Sequence, residues 1–385
     1  MMKTKPPAET DVFVVGGGPA GLAVALAARQ HGFEVVVADR AHSPIDKACA
    51  EGLMPDGIAA LREIGVELKA EYGFAFRGIS FLDDGLRADA FFPHQSGVGI
   101  RRTLLHRILA EHAMRAGIVT CWQTNVDGLD PSGVNIGDQT VRCRWLIGAD
   151  GFHSRVRQWA GLVPAWNGTR RMGLRQHFRV RPWTDLVEVH WRKNCQAYVT
   201  PVGQKEVCVT IISSKQIARI SDLPELFPRL AMRLGRAELI GSERGAISMS
   251  SKLAAVTRGR VALVGDASGS VDAATGEGLA LAFRQASFLG KALAAADLST
   301  YEDNHRRIGR MPRLMSRLLL LMDESNGIRE RALQALTARP LTFSRLLAVH
   351  VGALRLSEVS LDVVALALRL LTSRTAVRQN IRFVP

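Results

Sequence analysis

Aromatic side chains are scarce in this chain: Phe, Trp and Tyr make up 6% of its 385 residues, and only three are tyrosines. The core must therefore be mainly aliphatic. No stretch interleaves aromatic with basic residues in the way base-stacking surfaces need, so nucleic acid is not expected as a partner. The five cysteines (Cys49, Cys121, Cys143, Cys195, Cys208) include no C-x-x-C pair. That spacing excludes a zinc ribbon and a disulfide framework, leaves no metal site to expect, and points to a reducing compartment. No uninterrupted apolar run reaches the roughly 18 residues a spanning helix needs. The opening MMKTKPPAETD has no apolar stretch, so no secretory signal is expected and a cytoplasmic location is.

What is present is a globular composition, 47% hydrophobic and 22% charged, with a net charge of +14. The excess is uneven. From His305 to the end there are fourteen arginines, five acidic residues and no lysine, a net of +9. Either these arginines coat a solvated helical surface, or they attract an anionic membrane or substrate.

The chain opens on a strand–turn–helix unit. DVFVV at 11–15 reads as a buried parallel strand, and Gly16-Gly17-Gly18-Pro19-Ala20-Gly21 follows as G-x-G-x-x-G. A helix through LAVALAARQ stops at Gly32, and a second strand, EVVVA, ends at Asp39, with Arg40 beside it. Gly16 suits the tight turn, Gly18 lets a pyrophosphate approach the backbone, and Gly21 lets helix and strand pack closely. The pyrophosphate belongs on the helix N-terminus, where free N–H groups and the helix dipole favour anions. Asp39, 18 residues past Gly21, stands where a carboxylate accepts a ribose hydroxyl. This unit binds a dinucleotide but does not separate NAD from FAD.

Two later segments do. Trp145–Arg157 reads WLIGADGFHSRVR, and Val261–Ala286 reads VALVGDASGSVDAATGEGLALAFRQA. With the first motif, in this order, they resemble the three FAD fingerprints of the aromatic-hydroxylase-like flavoproteins. That superfamily holds single-component flavin monooxygenases and geranylgeranyl reductases. The resemblance implies that Asp150 and Gly151 lie near the pyrophosphate, with Arg157 beyond. It also implies that Gly265 and Asp266 hold the ribityl chain, and that an arginine opening the helix in GIRRTLLHRILAEHA touches the cofactor, with Arg102 the better match. The residues agree on their own chemistry. VALVGD is an apolar strand ending in a carboxylate at the sheet edge where ligands bind. Gly276-Glu277-Gly278-Leu279 starts a long helix whose N-terminal N–H groups would favour the negative charge of a reduced flavin.

The stretch DKACAEGLMPDGIAALREIGV at 46–66 looks like the reductase branch, where a cysteine near the flavin is common; here it is Cys49, followed by Glu51 and Gly52. Hydroxylases usually show His and Pro where this chain has Gly269 and Ala273. The segment roofing the flavin in related proteins matches Ala197–Pro201, which makes Tyr198 and Pro201 candidates beside Cys49 for the reacting end. Residues 166–250 alternate apolar and polar, and GISFLDDGLRADAFF adds a hairpin, so an antiparallel sheet is expected over the flavin. Arg175, His177, His190, Trp191 and Tyr198 are its candidate cavity residues.

The expected architecture is α/β. A Rossmann-like FAD-binding domain is formed by residues 1–75, 96–165 and 251–300. An inserted antiparallel β-sheet substrate domain is formed by 76–95 and 166–250, and a helical C-terminal region by 301–385. The C-terminal helices read as a packed cap, with peripheral membrane contact through their basic face as the sharper alternative. No second G-x-G-x-x-G follows a strand, so NAD(P)H, if it is the electron donor, binds transiently. The leading expectation is a monooxygenase acting on a hydrophobic, phenolic or polyketide-like substrate. The first alternative is a reductase of isoprenoid double bonds, and another is a flavin-binding partner protein without turnover.

Overall fold

In the structure, a computed structural model, residues 5–83, 85–214 and 217–362 are described. Strand Glu9–Val15 is apolar on both faces beyond its first residues, as a central parallel strand must be. It pairs in parallel with Val35–Asp39 on one side and with Gln139–Gly148 on the other. Val119–Trp122 and Val261–Leu263 extend the parallel run on its two sides, and Thr257–Arg258 adds an antiparallel edge beyond the latter. Helix Pro19–Gln30 starts with proline in its first turn, a position where the missing N–H costs nothing, and packs along helix Gly278–Ala294. Their contact is made of small residues: a Cβ added to Gly290 would lie 3.0 Å from Ala27 Cβ. Both helices therefore point their N-termini at the carboxyl ends of the parallel strands, where ligands bind in open α/β sheets.

A second, mixed sheet covers that end. Its order runs Glu238–Ser248, Arg171–Arg179, Glu206–Ser213, Cys195–Gly203, Leu186–Arg192, Gly78–Asp83, Leu86–Phe91. The expected hairpin does join it, but Gly78–Asp83 pairs with Leu186–Arg192 in parallel, not antiparallel. The two strands are separated by a long passage through the nucleotide-binding part, and so long a connection permits either direction. Period-two alternation divides the sheet. Phe178, Ala197, Val199, Val207, Val209 and Ile211 form an outer apolar layer under the short helices Leu223–Leu226 and Pro228–Leu234. The inner face turns to the nucleotide-binding part and to the C-terminal helices.

Those helices, Leu298–Ile308, Arg310–Glu324, Asn326–Thr337 and Pro340–His350, form the expected cap. Met322, Leu333, Leu336, Phe343 and Leu347 meet Val187, Val189, Trp191 and Tyr198 of the inner face. A fully buried guanidinium binds three parts together. Arg171 lies 2.7 Å from Asp272 Oδ1, in the loop before helix Gly278–Ala294, and 3.3 Å from Asp323 Oδ2, in the cap. The helical region expected to run to residue 385 lies, beyond residue 362, outside the described residues.

Candidate cofactor cleft and active site

The glycine turn has the geometry its sequence implies. Gly16 sits at φ +109°, and a Cβ there would lie 2.4 Å from Ala149 O. A Cβ on Gly21 would lie 1.8 Å from Gly16 O, so helix and strand touch at this point. Before Gly18 there is open space, with no atom within 4 Å of a built Cβ. Helix Pro19–Gln30 has no side-chain cap. Asp39 is fixed from two sides: Oδ2 accepts from Gly17 N at 2.7 Å and Oδ1 from Ala41 N at 2.7 Å. Arg40 is exposed beside it. Ala20 Cβ is 2.7 Å from where a Gly265 Cβ would stand, so the first motif and the Gly-Asp motif adjoin.

Asp150 caps the short helix Arg155–Trp159 by accepting from Arg155 N (2.7 Å) and Val156 N (3.2 Å), while its Oδ1 is buried with no partner. Arg157 donates to Phe152 O and Ala267 O, joining the Asp-Gly loop to the Gly-Asp loop. Asp266 receives Lys47 Nζ at 2.9 Å. Desolvation in the cleft opposes its charge, but Lys47 and then Arg102 hold the carboxyl below its usual range. Of the two arginines, Arg101 is taken up by Glu206, whereas Arg102 keeps a buried Nε without a partner. Gly276 is left-handed at φ +69°. Gly278 opens its helix with no atom within 4 Å of a built Cβ and no side-chain cap, and Leu279 is half-buried behind it. Two uncapped helix N-termini with open space before them, and unpartnered polar atoms of Arg102 and Asp150 nearby, fit a dinucleotide whose phosphates and ring edge need donors.

At the other end, segment 46–52 meets the inner face of the mixed sheet. Glu51 adopts φ +62°, unusual for a side chain, and is buried. Its Oε1 accepts from Arg102 N at 2.9 Å and its Oε2 lies 2.7 Å from His177 Nε2. Arg175 stands 2.9 Å from His177 Nδ1. A guanidinium only donates, so Nδ1 accepts and the ring proton sits on Nε2, facing Glu51. Arg175 continues to Asp46 and Asp46 to Arg244. Cys49, half-exposed, accepts from Glu51 N at 3.3 Å, and Cys208 donates to Cys49 O. Glu51, His177 and Cys208 thus come within ligand reach of one another, which positions 51, 177 and 208 gave no means of seeing. They do not make a cation site. Both imidazole nitrogens are engaged, the Arg175 charge is adjacent, and burial first of all holds the Cys208 thiol well above its usual pKa and therefore protonated.

The structure brings Cys49 and Pro201 into one region. A Cβ on Gly52 would meet Thr200 Cγ2 at 3.6 Å, and one on Gly99 would strike Pro201 O. Tyr198 reaches elsewhere: its hydroxyl lies 2.9 Å from Ala274 O and 3.0 Å from Gln196 Oε1, fixing the loop before Gly276. Arg175, His177 and Trp191 share the inner face with it. His190 does not; it is on the outer face, 3.0 Å from Glu188 and edge-on to Phe227, because one residue along a strand reverses the side.

Sequence reasoning missed a buried acidic group at the start of helix Gly278–Ala294. Glu277, between the two glycines, turns its carboxyl inward, and Asp56 packs beside it with both oxygens unpartnered. Burial pushes Asp56 up to about 6, against Arg284. Burial and then the Asp56 charge hold Glu277 well above its usual value. His350 arrives from the cap, with Nε2 3.1 Å from Thr275 O and Nδ1 3.7 Å from Glu277 Oε2. Burial lowers it to about 4, so it is neutral. Only the Glu277 motif position carried any signal; Asp56 and His350 are brought in by tertiary packing.

These features define a dinucleotide-binding flavoprotein, and the chain belongs to the FAD binding domain family, whose model matches residues 9–300. It is 28% identical over 296 residues to the menaquinone reductase of Mycolicibacterium smegmatis, spanning 70% of this chain and 72% of that one. It is 33% identical over 171 residues to digeranylgeranylglycerophospholipid reductase 2 of Methanosphaera stadtmanae, 40% of this chain and 42% of the archaeal protein, less than half the length of either. Among solved structures, a flavoprotein/dehydrogenase from Cytophaga hutchinsonii superposes with a TM-score of 0.80 at 18% identity, covering 94% and 98% of the two chains. The anhydrotetracycline hydroxylase OxyS of Streptomyces rimosus does so at 0.71 and 23%, covering 90% and 76%. The fold is that of FAD-dependent oxidoreductases, and no helix among the described residues is long and apolar enough to cross a membrane.

Proposed function

We propose that this FAD-dependent oxidoreductase saturates a carbon–carbon double bond in an apolar, isoprenoid-type substrate. The observation that carries this reading is the division of the inner sheet face. Val187, Val189 and Trp191 make an apolar half beneath the cap helices, and it runs into a half that holds Cys49, Glu51 and His177. The apolar half is closed by Met322, Leu333 and Phe343 of the cap, and an addition across a double bond needs a proton donor of the kind the second half holds. The similarity to a menaquinone reductase over most of both chains supports reduction of a prenylated type of substrate.

Bound FAD, held by Asp39, Arg102, Asp150 and Asp266 with the two helix N-termini, would supply the hydride to one carbon of the double bond. The other carbon takes a proton, and Cys49 is the candidate donor because its thiol is the partly exposed one, anchored by Glu51 N. Glu51 is a positioning residue, held between His177 and Arg102 N. Tyr198 fixes the Ala274 loop and Pro201 builds the wall. NAD(P)H binding transiently is the proposed electron source, since no second dinucleotide motif is present.

The test is a single turnover under argon with photoreduced protein and a prenylated quinone. The expected product, after its ring is reoxidised to the quinone, still carries two extra hydrogens in the prenyl chain with oxygen absent; a product whose two hydrogens are lost on that reoxidation is a quinol and overturns the reading. Oxygenation is the competing chemistry on this fold. Product formed only in air, carrying one atom from labelled dioxygen, would replace the reductase reading with a monooxygenase.

A further inference from the structure

A groove of about 1200 Å³ opens at the edge of the mixed sheet, between the ends of strands Gly78–Asp83, Leu86–Phe91 and Leu186–Arg192 and the helix Pro228–Leu234. It shares no residue with the cofactor cleft. Among the described residues, six cationic side chains line it against one carboxylate, Asp83. Arg329 is paired with that Asp83, Arg233 with Glu188 and Arg87 with Asp89, and Arg192 donates to the carbonyls of Glu225 and Leu226. Arg229 and Lys193 are left without an acidic partner among the described residues. A second, independent feature points to a ligand. Trp191 is 4% exposed, it lines the groove, and its indole N–H is buried with no acceptor. A buried donor without an acceptor is destabilising, and a bound acceptor would remove that cost. Between the cations the walls are apolar, with Leu86, Leu226 and a Met232 that is 74% exposed.

We infer that this groove binds an alkyl phosphate, with the phosphate on Arg229, Lys193 and the Trp191 N–H and the first methylenes of the chain along Leu86, Leu226 and Met232. Two unpaired cations and a neutral donor suit a dianionic oxyanion with several acceptor oxygens, and charge-assisted bonds of this kind are the strong ones. The apolar walls give no partner to a free inorganic ion, so the affinity comes from head and chain together. Trp191 is shared with the apolar half of the inner face, but Arg229 and Lys193 take no part in the double-bond chemistry, and the phosphate site does not rest on that reading.

The experiment is calorimetric titration of the full-length, FAD-loaded protein with octyl phosphate below its micelle concentration, with inorganic phosphate and with octyl glucoside. Octyl phosphate should bind at least about tenfold more tightly than either of the other two, a difference of about 1.4 kcal/mol. It should also shift tryptophan emission, a shift absent in Trp191→Phe. The paired substitution of exposed residues, Arg229→Ser with Lys193→Ser, should weaken it by about tenfold or more while leaving the flavin spectrum unchanged. Equal affinity in that double variant, or equal affinity for octyl glucoside, overturns the site. So does binding confined to phosphatidylglycerol vesicles and undiminished in the double variant, because that outcome describes a membrane-facing surface elsewhere on the chain.

Discussion

Asp56→Asn should make the protein more stable in alkali, and the structure sets the size of the gain. Both carboxylate oxygens of Asp56 are buried without partners, and burial raises the group to about 6. In an unfolded chain an aspartate titrates near ~4, and a gap of about two pH units corresponds to roughly 3 kcal/mol. The folded state binds the proton more tightly, so its advantage is complete below pH ~4 and is lost as the pH rises through about 6. Above that, folding must bury a charge beside Glu277, and asparagine avoids this at nearly equal volume. Unfolding 385 residues carries an entropy near 0.8 kcal/mol per kelvin, so a 3 kcal/mol gain moves Tm by about 4 °C. The assay is thermal unfolding of flavin-free protein at pH 4.5 and 8, with variant and parent scanned at one rate. The expected result is a Tm gain at pH 8 and almost none at pH 4.5. The same difference at both pH values would show that Asp56 is ionised and satisfied in the fold, and would remove the basis for a neutral acidic pair at this helix start.

Gly18→Val should abolish FAD retention while leaving the flavin-free fold intact, since a built Cβ meets nothing within 4 Å and the backbone at φ −67° suits any residue; flavin content and circular dichroism report the two halves. Asp266→Ala should weaken FAD by about 1–3 kcal/mol, read by equilibrium titration of the released flavin, which should be FAD and not FMN. His350→Gln should relieve acid sensitivity. Burial lowers the imidazole to about 4, so its folded state loses stability as the pH falls from ~6.5 toward 4, and unfolding at pH 5 against pH 8 measures the relief. Cys49→Ser should slow double-bond reduction by at least about tenfold with FAD still bound and still reducible; a normal rate removes the thiol from the proton step.

The parts of the molecule that were legible in the sequence are those set by short-range rules. Gly16, Gly18, Gly21 and Asp39 lie within one strand–turn–helix–strand unit, where spacing dictates geometry. The Gly265–Asp266 strand end and the Gly276–Gly278 helix start are likewise local. The choice of Arg102 over Arg101 came from position alone, and the structure supplies a physical ground for it: Glu206, on a distant strand, occupies Arg101. The parallel joint between Gly78–Asp83 and Leu186–Arg192 was illegible because alternation reports which face a residue takes but not which way its neighbour runs. His190, a cavity candidate by sequence, lies on the outer face, which was illegible for a related reason, since alternation without a register does not say which face is inside.

The rest of the site depends on charges that meet only after folding. In the sequence nothing sets Arg171 apart from the other arginines, yet it is fully buried and is shared by Asp272 and Asp323. Asp272 also caps the turn that begins at Ala273, accepting from Ala274 N, and Tyr198 holds that same turn through Ala274 O. Asp323 comes from the cap and takes Gln196 from the sheet. One guanidinium therefore couples the substrate layer, the loop ahead of the GEG helix and the C-terminal helices. Removing it would leave two buried carboxylates facing each other, the arrangement in which breaking a buried pair costs most. His350 repeats the pattern by reaching from the cap to Thr275 and Glu277. The C-terminal helices thus do more than cover the sheet. Their polar residues hold the loop on which the helix start at Gly278 depends, so the geometry of the cofactor cleft is partly written in a region that composition alone presents as a basic surface.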